Sequence, residues 1–251
     1  MASFDTITRQ LIKSRRFGVS NRSFSKKDYA NISIHDAYNI QKDVISNMGL
    51  SVSGWKLGGT NQKTRDLFNV DELYWGPIFD GCILTKSRDI SLHCGEVEIA
   101  LKVNKNIRDI DREIHPNELS KYIDSVALSM EYPQSFISNI LDIGVEALVS
   151  DCCSSGQCLI GKELPFLEFF DDLFYIEVDS IRTEKFSANI LIDGLYQTTC
   201  DFINKSSKMG FELKSGQWIF TGGLSECKSY KKGSHLKIKS ETLNLEFLIP
   251  C

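Results

Sequence analysis

The chain has 251 residues, enough to bury a core as one large domain or two small ones. Its 42% hydrophobic, 10% aromatic and 25% charged content with 5 prolines excludes a disordered, collagen-like or low-complexity polymer. Lys and Arg total 29 against 33 Asp and Glu, a net charge of -4, so no global positive field draws the molecule to nucleic acid. The N-terminal stretch MASFDTITRQLIKSRRFG is broken by charges, and no apolar run reaches bilayer length, which predicts a soluble, cytoplasmic protein with no membrane partner. The cysteines at 82, 94, 152, 153, 158, 200, 227 and 251 show no paired C-x-x-C spacing, so free thiols in a reducing compartment are expected.

In chain order, SIHDAYNIQKDVISNMG predicts the first clear helix. Ser33 caps it, Asp36 completes a capping box, Ala37, Ile40, Val44 and Ile45 form a stripe, and Gly49 stops it. A helix-rich section thus runs to about residue 50. SGWKLGGTNQKTRDLF and YWGPIFDG read as loops around short strands. From about Ile90 the period changes to two: in GEVEIALKVN, Val97, Ile99, Leu101 and Val103 alternate with Glu96, Glu98, Ala100 and Lys102, a strand with one buried face. HPNELSKYIDS gives a short helix with Pro116 near its start, and DSVALSMEYP a second alternating strand ended by Pro133. ISNILDIGVEALVSD is helical or mixed, and GQCLIGK is a strand. FYIEVDSI, SANILIDGLYQTT, SGQWIFTGG, SHLKIKS and TLNLEFLIP read as strands, with Asp193-Gly194 a hairpin turn. The expectation is a single α+β domain over 1–251, with a helix-rich section 1–80 and a strand-rich, metal-binding core 81–251.

Glu96-x-Glu98 is the sharpest local feature, because residues two apart on a strand project from one face. Two carboxylates about 4 Å apart repel by roughly 4 kcal/mol at an effective dielectric near 20, so they need a cation, a shared proton or solvent. Taken alone, the pair is accounted for by a solvated strand face. In VALSMEYP, however, Ala127, Ser129 and Glu131 share one face, and if the two strands are neighbours three carboxylates converge. Three hard oxygen donors suit Mg²⁺ or Mn²⁺, or Ca²⁺, rather than zinc, and leave coordination positions for substrate. His35, His93, His115 and His235 fall in no ligand spacing, and no Ser/His/Asp order, P-loop or dinucleotide fingerprint is present.

The run HDAYNIQ, GWKLGGT, WGPIF, GEVEIAL, ALSMEY, DCCSSGQCLIG, IDG and SGQWIFTGGL resembles, in order through most of the chain, the fumarylacetoacetate hydrolase superfamily. The branch it resembles is that of 2-oxopent-4-enoate (2-hydroxypentadienoate) hydratase and 4-oxalocrotonate decarboxylase. The resemblance implies a mixed β-roll with flanking helices, metal ligands at Glu96, Glu98 and Glu131, and an active-site lysine at Lys56. It further implies a catalytic role for Asp151 and substrate contacts at Ser154, Thr221 and Gly222. The implied activity is that of a Mg²⁺- or Mn²⁺-dependent lyase acting on a small 2-oxo or 2-hydroxydienoic acid through a metal-stabilised enolate. Decarboxylation of a vinylogous 2-oxo diacid, and a non-catalytic or repurposed biosynthetic relative, remain open beside hydration. The resemblance also implies a homo-oligomer, or a complex with a related enzyme. The chain departs from the family at Tyr74, where an acid usually precedes the aromatic-glycine pair, at Cys152 and Cys153, at Gln217, and after Glu131, where YPQS replaces an arginine. The connection from IDGLYQTT to SGQWIF reads as too short for the helix that relatives carry there.

Overall fold

A computed structural model describes residues 3–20, 24–166 and 173–250. Three helices lead: α1 (Phe4–Phe17), α2 (Lys26–Tyr29) and α3 (Ile34–Met48). The ends of α3 are those its sequence predicts. The Ser33 hydroxyl accepts from the Asp36 backbone N–H, the Asp36 carboxylate accepts from the Ser33 N–H, and Gly49 closes the helix at φ 73°. Its inner face carries Gln41, whose amide donates to the carbonyls of Trp75 and Val149, both at 2.9 Å, tying the helix to the two segments beside it.

After α3 come β1 (Val52–Gly58), α4 (Gln62–Phe68), β2 (Tyr74–Phe79), β3 (Ile83–Leu84), β4 (Cys94–Val103) and β5 (Ile123–Tyr132). A 3-10 turn over Pro116–Lys121 links the last two strands. Next are α5 (Ile140–Ile143), α6 (Val145–Ser150), β6 (Gln157–Ile160) and β7 (Leu164–Pro165). The chain finishes with β8 (Leu173–Val178), β9 (Ile181–Ser187), α7 (Leu195–Lys208), β10 (Trp218–Phe220), β11 (Lys228–Ser229), β12 (His235–Lys239) and β13 (Asn244–Leu248).

The main sheet runs β2-β1-β10-β4-β5-β6-β3, with β11 on β4 and β7 on β5; a second sheet runs β13-β12-β8-β9. Pairing is mixed: β1 and β10 are parallel, as are β3 and β6, while β4 lies antiparallel to both β10 and β5. This is the α+β, mixed-sheet architecture expected from the sequence.

Four readings need correction. The polar segment after GWKLGGT is a helix, α4, because the Asn61 side chain caps it by accepting from the Thr64 N–H at 2.9 Å. Asp193-Gly194 is no hairpin turn: Gly194 is the N-cap of α7. From there Leu195, Thr198, Thr199, Phe202, Ile203 and Ser206 are buried at helical spacing, so the connection read as too short does hold a helix. Finally, β4 has two buried faces rather than one, since Glu98 and Ala100 are as enclosed as Val97 and Ile99. The curled sheet itself covers the second face, where Ala100 clusters with Ile78, Ala127, Trp218 and Phe220 of neighbouring strands.

Candidate active site

The register of β4 against β5 places Glu96 opposite Glu131 and Glu98 opposite Ser129. Glu96, Glu98 and Glu131 each offer a carboxylate oxygen, all within 4.8 Å of one another. Lys56 of β1 completes the group, its Nζ donating to Glu131 Oε1 at 2.8 Å and Oε2 at 2.9 Å. In strand order β1 stands three places from β5. A flat sheet would separate them by roughly 14 Å, beyond the reach of a lysine side chain, so the sheet must curl to close this contact. The short β10 between them ends at Phe220, and Thr221, Gly222 and Gly223 follow.

The electrostatics are those of an under-compensated buried charge. Glu98 and Glu131 are fully buried and Lys56 nearly so, while Glu96 is half-buried. Both oxygens of Glu98 lack a hydrogen-bond partner; the nearby Gly222 N–H favours its charge without forming an aligned bond. Burial first, and then Glu131 and Glu96, push the Glu98 carboxyl well above the usual carboxylate range. Burial and Glu131 likewise push Glu96 up to about 8. Burial works against the charge of Lys56, but Glu131, Glu96 and Glu98 together outweigh it and hold the ammonium above the ordinary lysine range. One ammonium therefore faces three carboxyls, a set of hard oxygens short of positive charge. A divalent cation fits this donor chemistry and would give the orphaned Glu98 oxygens a partner.

A cavity of about 320 Å³ opens onto Lys56 and Glu96, lined also by Thr60, Tyr74, Cys153, Ser154, Gly223 and Glu226. Its apolar wall comes from Leu67 and Phe68 of α4 with Pro133, Ile140 and Leu148. A larger groove, about 730 Å³, is lined by Lys86, Arg88, Lys162 and Glu246 and holds none of the candidate residues.

The remaining residues suggested by the sequence are distributed unevenly. Ser154 lines the cavity, on a turn in which Cys152, Cys153 and Ser154 all have left-handed φ of 52°, 53° and 54°. Such residues cost of order 1–3 kcal/mol each and persist where surrounding packing holds them. Here Gly76 lies directly beneath, where a Cβ would meet the Cys152 carbonyl oxygen at 2.2 Å. Gly222, at φ 98°, packs so tightly on Thr60 that a Cβ would fall 2.0 Å from its hydroxyl. Thr221 does not line the cavity, and its hydroxyl donates to the Ile99 carbonyl at 3.0 Å. Asp151 is fully buried outside the cavity; its carboxylate pairs with Arg15 at 3.1 Å and accepts from Ser135 Oγ at 3.0 Å and the Phe136 N–H at 2.7 Å. Gln217 serves as a tie, accepting from Trp55 Nε1 at 3.0 Å and donating to the Val52 carbonyl at 2.8 Å.

Sequence reasoning missed Thr60, Asn61, Lys63 and Glu226. The Thr60 hydroxyl is buried without a partner beside the cavity, an available donor. Asn61 joins the glycine loop to α4 by donating to the Gly223 carbonyl at 2.9 Å. Lys63 and Glu226 pair at 2.6 Å at the exposed rim. The cap pattern Asn-x-x-Thr, directly after the GGT turn, was the signal available for this cluster.

No protein-family model and no curated protein sequence matches the chain. Solved structures do match it in shape. The 4-oxalocrotonate decarboxylase from Pseudomonas putida G7, complexed with magnesium and adipate, superposes with a TM-score of 0.82 at 16% identity, covering 99% of this chain and 98% of that one. Fumarylpyruvate hydrolase from Pseudomonas aeruginosa, in complex with Mn²⁺ and pyruvate, gives 0.56 at 12% identity over 78% of this chain and 88% of its own. A protein assigned to the fumarylacetoacetate hydrolase family from Yersinia pestis CO92 gives 0.57 at 13% identity over 80% and 94%. The chain therefore has the fumarylacetoacetate hydrolase fold, in a form that 4-oxalocrotonate decarboxylase shares over nearly its whole length.

Proposed function

We propose that this chain is a member of the fumarylacetoacetate hydrolase superfamily and a Mg²⁺- or Mn²⁺-dependent lyase acting on a small 2-oxo or 2-hydroxydienoic acid. The observation that carries this reading is the meeting of Glu96, Glu98 and Glu131 from two strands beside a buried lysine, with both Glu98 oxygens unpartnered. A divalent cation held by these carboxylates would supply Lewis acidity to the oxygen of an enolate.

The chain's own residues define the rest. Lys56 stays protonated, so it acts as a cationic donor toward a substrate carboxylate or a developing carbanion and not as a base. Burial, then Cys153, holds the Tyr74 hydroxyl protonated as well, which gives a second donor where relatives carry an acid. Burial pushes the Cys153 thiol well up, so it is a poor nucleophile. The unpartnered Thr60 hydroxyl can fix a substrate oxygen, and Leu67, Phe68 and Ile140 exclude water from the carbon chain. Glu226 is the ionised carboxylate at the mouth, its pKa lowered by its hydrogen bond to Lys63, so it is a weak base and sets the charge of the entrance with Lys63.

Hydration of a conjugated double bond is the reading preferred here. Decarboxylation of a vinylogous 2-oxo diacid is the second, favoured by the superposition on 4-oxalocrotonate decarboxylase. Mn²⁺ binding followed by calorimetry, with turnover of a 2-hydroxydienoate and a 2-oxo diacid analysed for hydrated acid against CO₂, separates the two. Absence of stoichiometric Mn²⁺ binding sinks both. Assembly as a homo-oligomer or with a related enzyme, in the cytoplasm, is part of the same proposal and is read by sedimentation. Among the described residues no helix is long and apolar enough to cross a membrane.

A further inference from the structure

On β4, Cys94, Glu96 and Glu98 alternate toward one face, so the first cysteine of the strand stands on the carboxylate side. The chain that follows β10 runs back along this strand. Thr221 N–H donates to the Ile99 carbonyl, Leu224 N–H to the Val97 carbonyl, Val97 N–H to Ser225 Oγ, and β11 then pairs Lys228 with Gly95 and Ser229 with Cys94. Cys227 lies just before that pairing, and its Sγ is 3.1 Å from the Sγ of Cys94. Cys227 stands diagonally from Cys94, two residues before the Ser229 that pairs with it, and because the two sulfurs are already in contact the pair can be joined by a local adjustment of the loop end.

Accessibility separates this pair from the other described cysteines. Cys227 is exposed and Cys94 half-buried, whereas Cys152, Cys153, Cys158 and Cys200 are buried, and Cys82, half-buried, has the buried Cys158 beside it, its carbonyl accepting from the Cys158 N–H. Cys227 also lines the cavity beside Ser225 and Glu226, and the loop it ends presses Gly223 against the Glu96 carboxylate, where a Cβ would fall 2.3 Å from Oε2.

We propose that Cys94 and Cys227 form a reversible disulfide that pins the glycine loop 221–227 along β4 at the mouth of the carboxylate cavity. The oxidant is a low-molecular-weight disulfide. One of the two sulfurs attacks it, losing a proton to solvent and releasing one small thiol. The other then attacks that sulfur in the mixed disulfide, gives up its own proton and releases the second. Two protein S–H bonds become one S–S bond, and two electrons reduce the small disulfide to two thiols.

The test is a thiol map of the intact wild-type chain, with oxidised glutathione as the probe. After equilibration, acid quench and alkylation, a proteolytic digest is read by mass spectrometry. The expected product is the Cys94 peptide joined to the Cys227 peptide, lighter by two hydrogens than the reduced pair. Dithiothreitol restores the free thiols, and Cys227→Ser abolishes the linked species. Hydrogen exchange at the 221–230 amides slows on the order of tenfold in the oxidised chain. The proposal is overturned if both thiols stay free, if Cys227 stops at a glutathione adduct, or if either pairs with another cysteine within or between chains. The wild-type map decides even where the serine variant folds poorly, and none of its outcomes depends on turnover or metal binding.

Discussion

Two clusters of buried charge lie on either side of the turn at Cys152–Ser154, and they are built in opposite ways. Arg15 and Asp151 form a nearly closed pair: the Asp151 carboxylate meets a guanidinium, a hydroxyl and a backbone N–H, and Arg15 also donates to the Asp151 carbonyl, leaving only its Nε without a partner. It ties α1 to the segment after β5 and does not line the carboxylate cavity. Lys56 with Glu96, Glu98 and Glu131 is open: the acids outnumber the cation, Glu98 has no partner, and a cavity reaches the group. A buried carboxylate whose partners are complete holds structure in place, whereas one left short of charge marks where something else is to bind.

The strongest way to break this contrast is to alter one acid in each cluster. Glu98→Gln is expected to lower Mn²⁺ affinity by on the order of 100-fold or more and to abolish turnover, while raising the stability of the metal-free chain. Asp151→Asn should do the reverse, costing about 3–5 kcal/mol of stability with Mn²⁺ affinity unchanged. Calorimetry and thermal melts on both variants check it, and equal behaviour erases the distinction.

Lys56→Met sharpens the comparison within the open cluster. Turnover should fall on the order of 100-fold or more, yet Mn²⁺ should bind as tightly as before or tighter, because a competing cation has gone. Loss of Mn²⁺ binding would instead make Lys56 a scaffold for the acids.

A pH series gives a smaller effect. Glu96 binds its proton more tightly in the folded chain, at about 8, than in the unfolded one, at about 4.5. The metal-free chain therefore has this contribution in full below about 4.5 and loses it as pH rises through about 8. Denaturant melts should show that decline, and saturating Mg²⁺ should flatten it. A metal-free stability that rises over this window contradicts the assignment.

The smallest expected change is at Thr60. Thr60→Val removes an unpartnered hydroxyl, so stability should hold or rise while kcat/KM drops by about tenfold. Unchanged kinetics would remove Thr60 from substrate binding.

The strands that carry the acids were legible because their side chains alternate, and the cap and stop of α3 were legible because they are local. Two helices were not. No residue of α4 is buried, so it shows no apolar stripe, and α7 opens on an Asp-Gly pair that imitates a hairpin turn before its helical spacing emerges. Within the site, residue types and their order along the chain suggested the three acids and the lysine. Their contact depends on cross-strand register and on sheet curl, which no single segment encodes. Asp151 shows the converse: its motif says nothing of Arg15, which lies in the first helix and determines what that carboxylate can do.

The seat of the left-handed turn on Gly76 restricts how this molecule can diverge. A methyl group at position 76 would strike the carbonyl of Cys152, so a lineage that replaces this glycine must also reshape residues 152–154. Two stretches remote in the gene should therefore drift as one unit, and a graft of either from a homologue should work only when its counterpart travels with it.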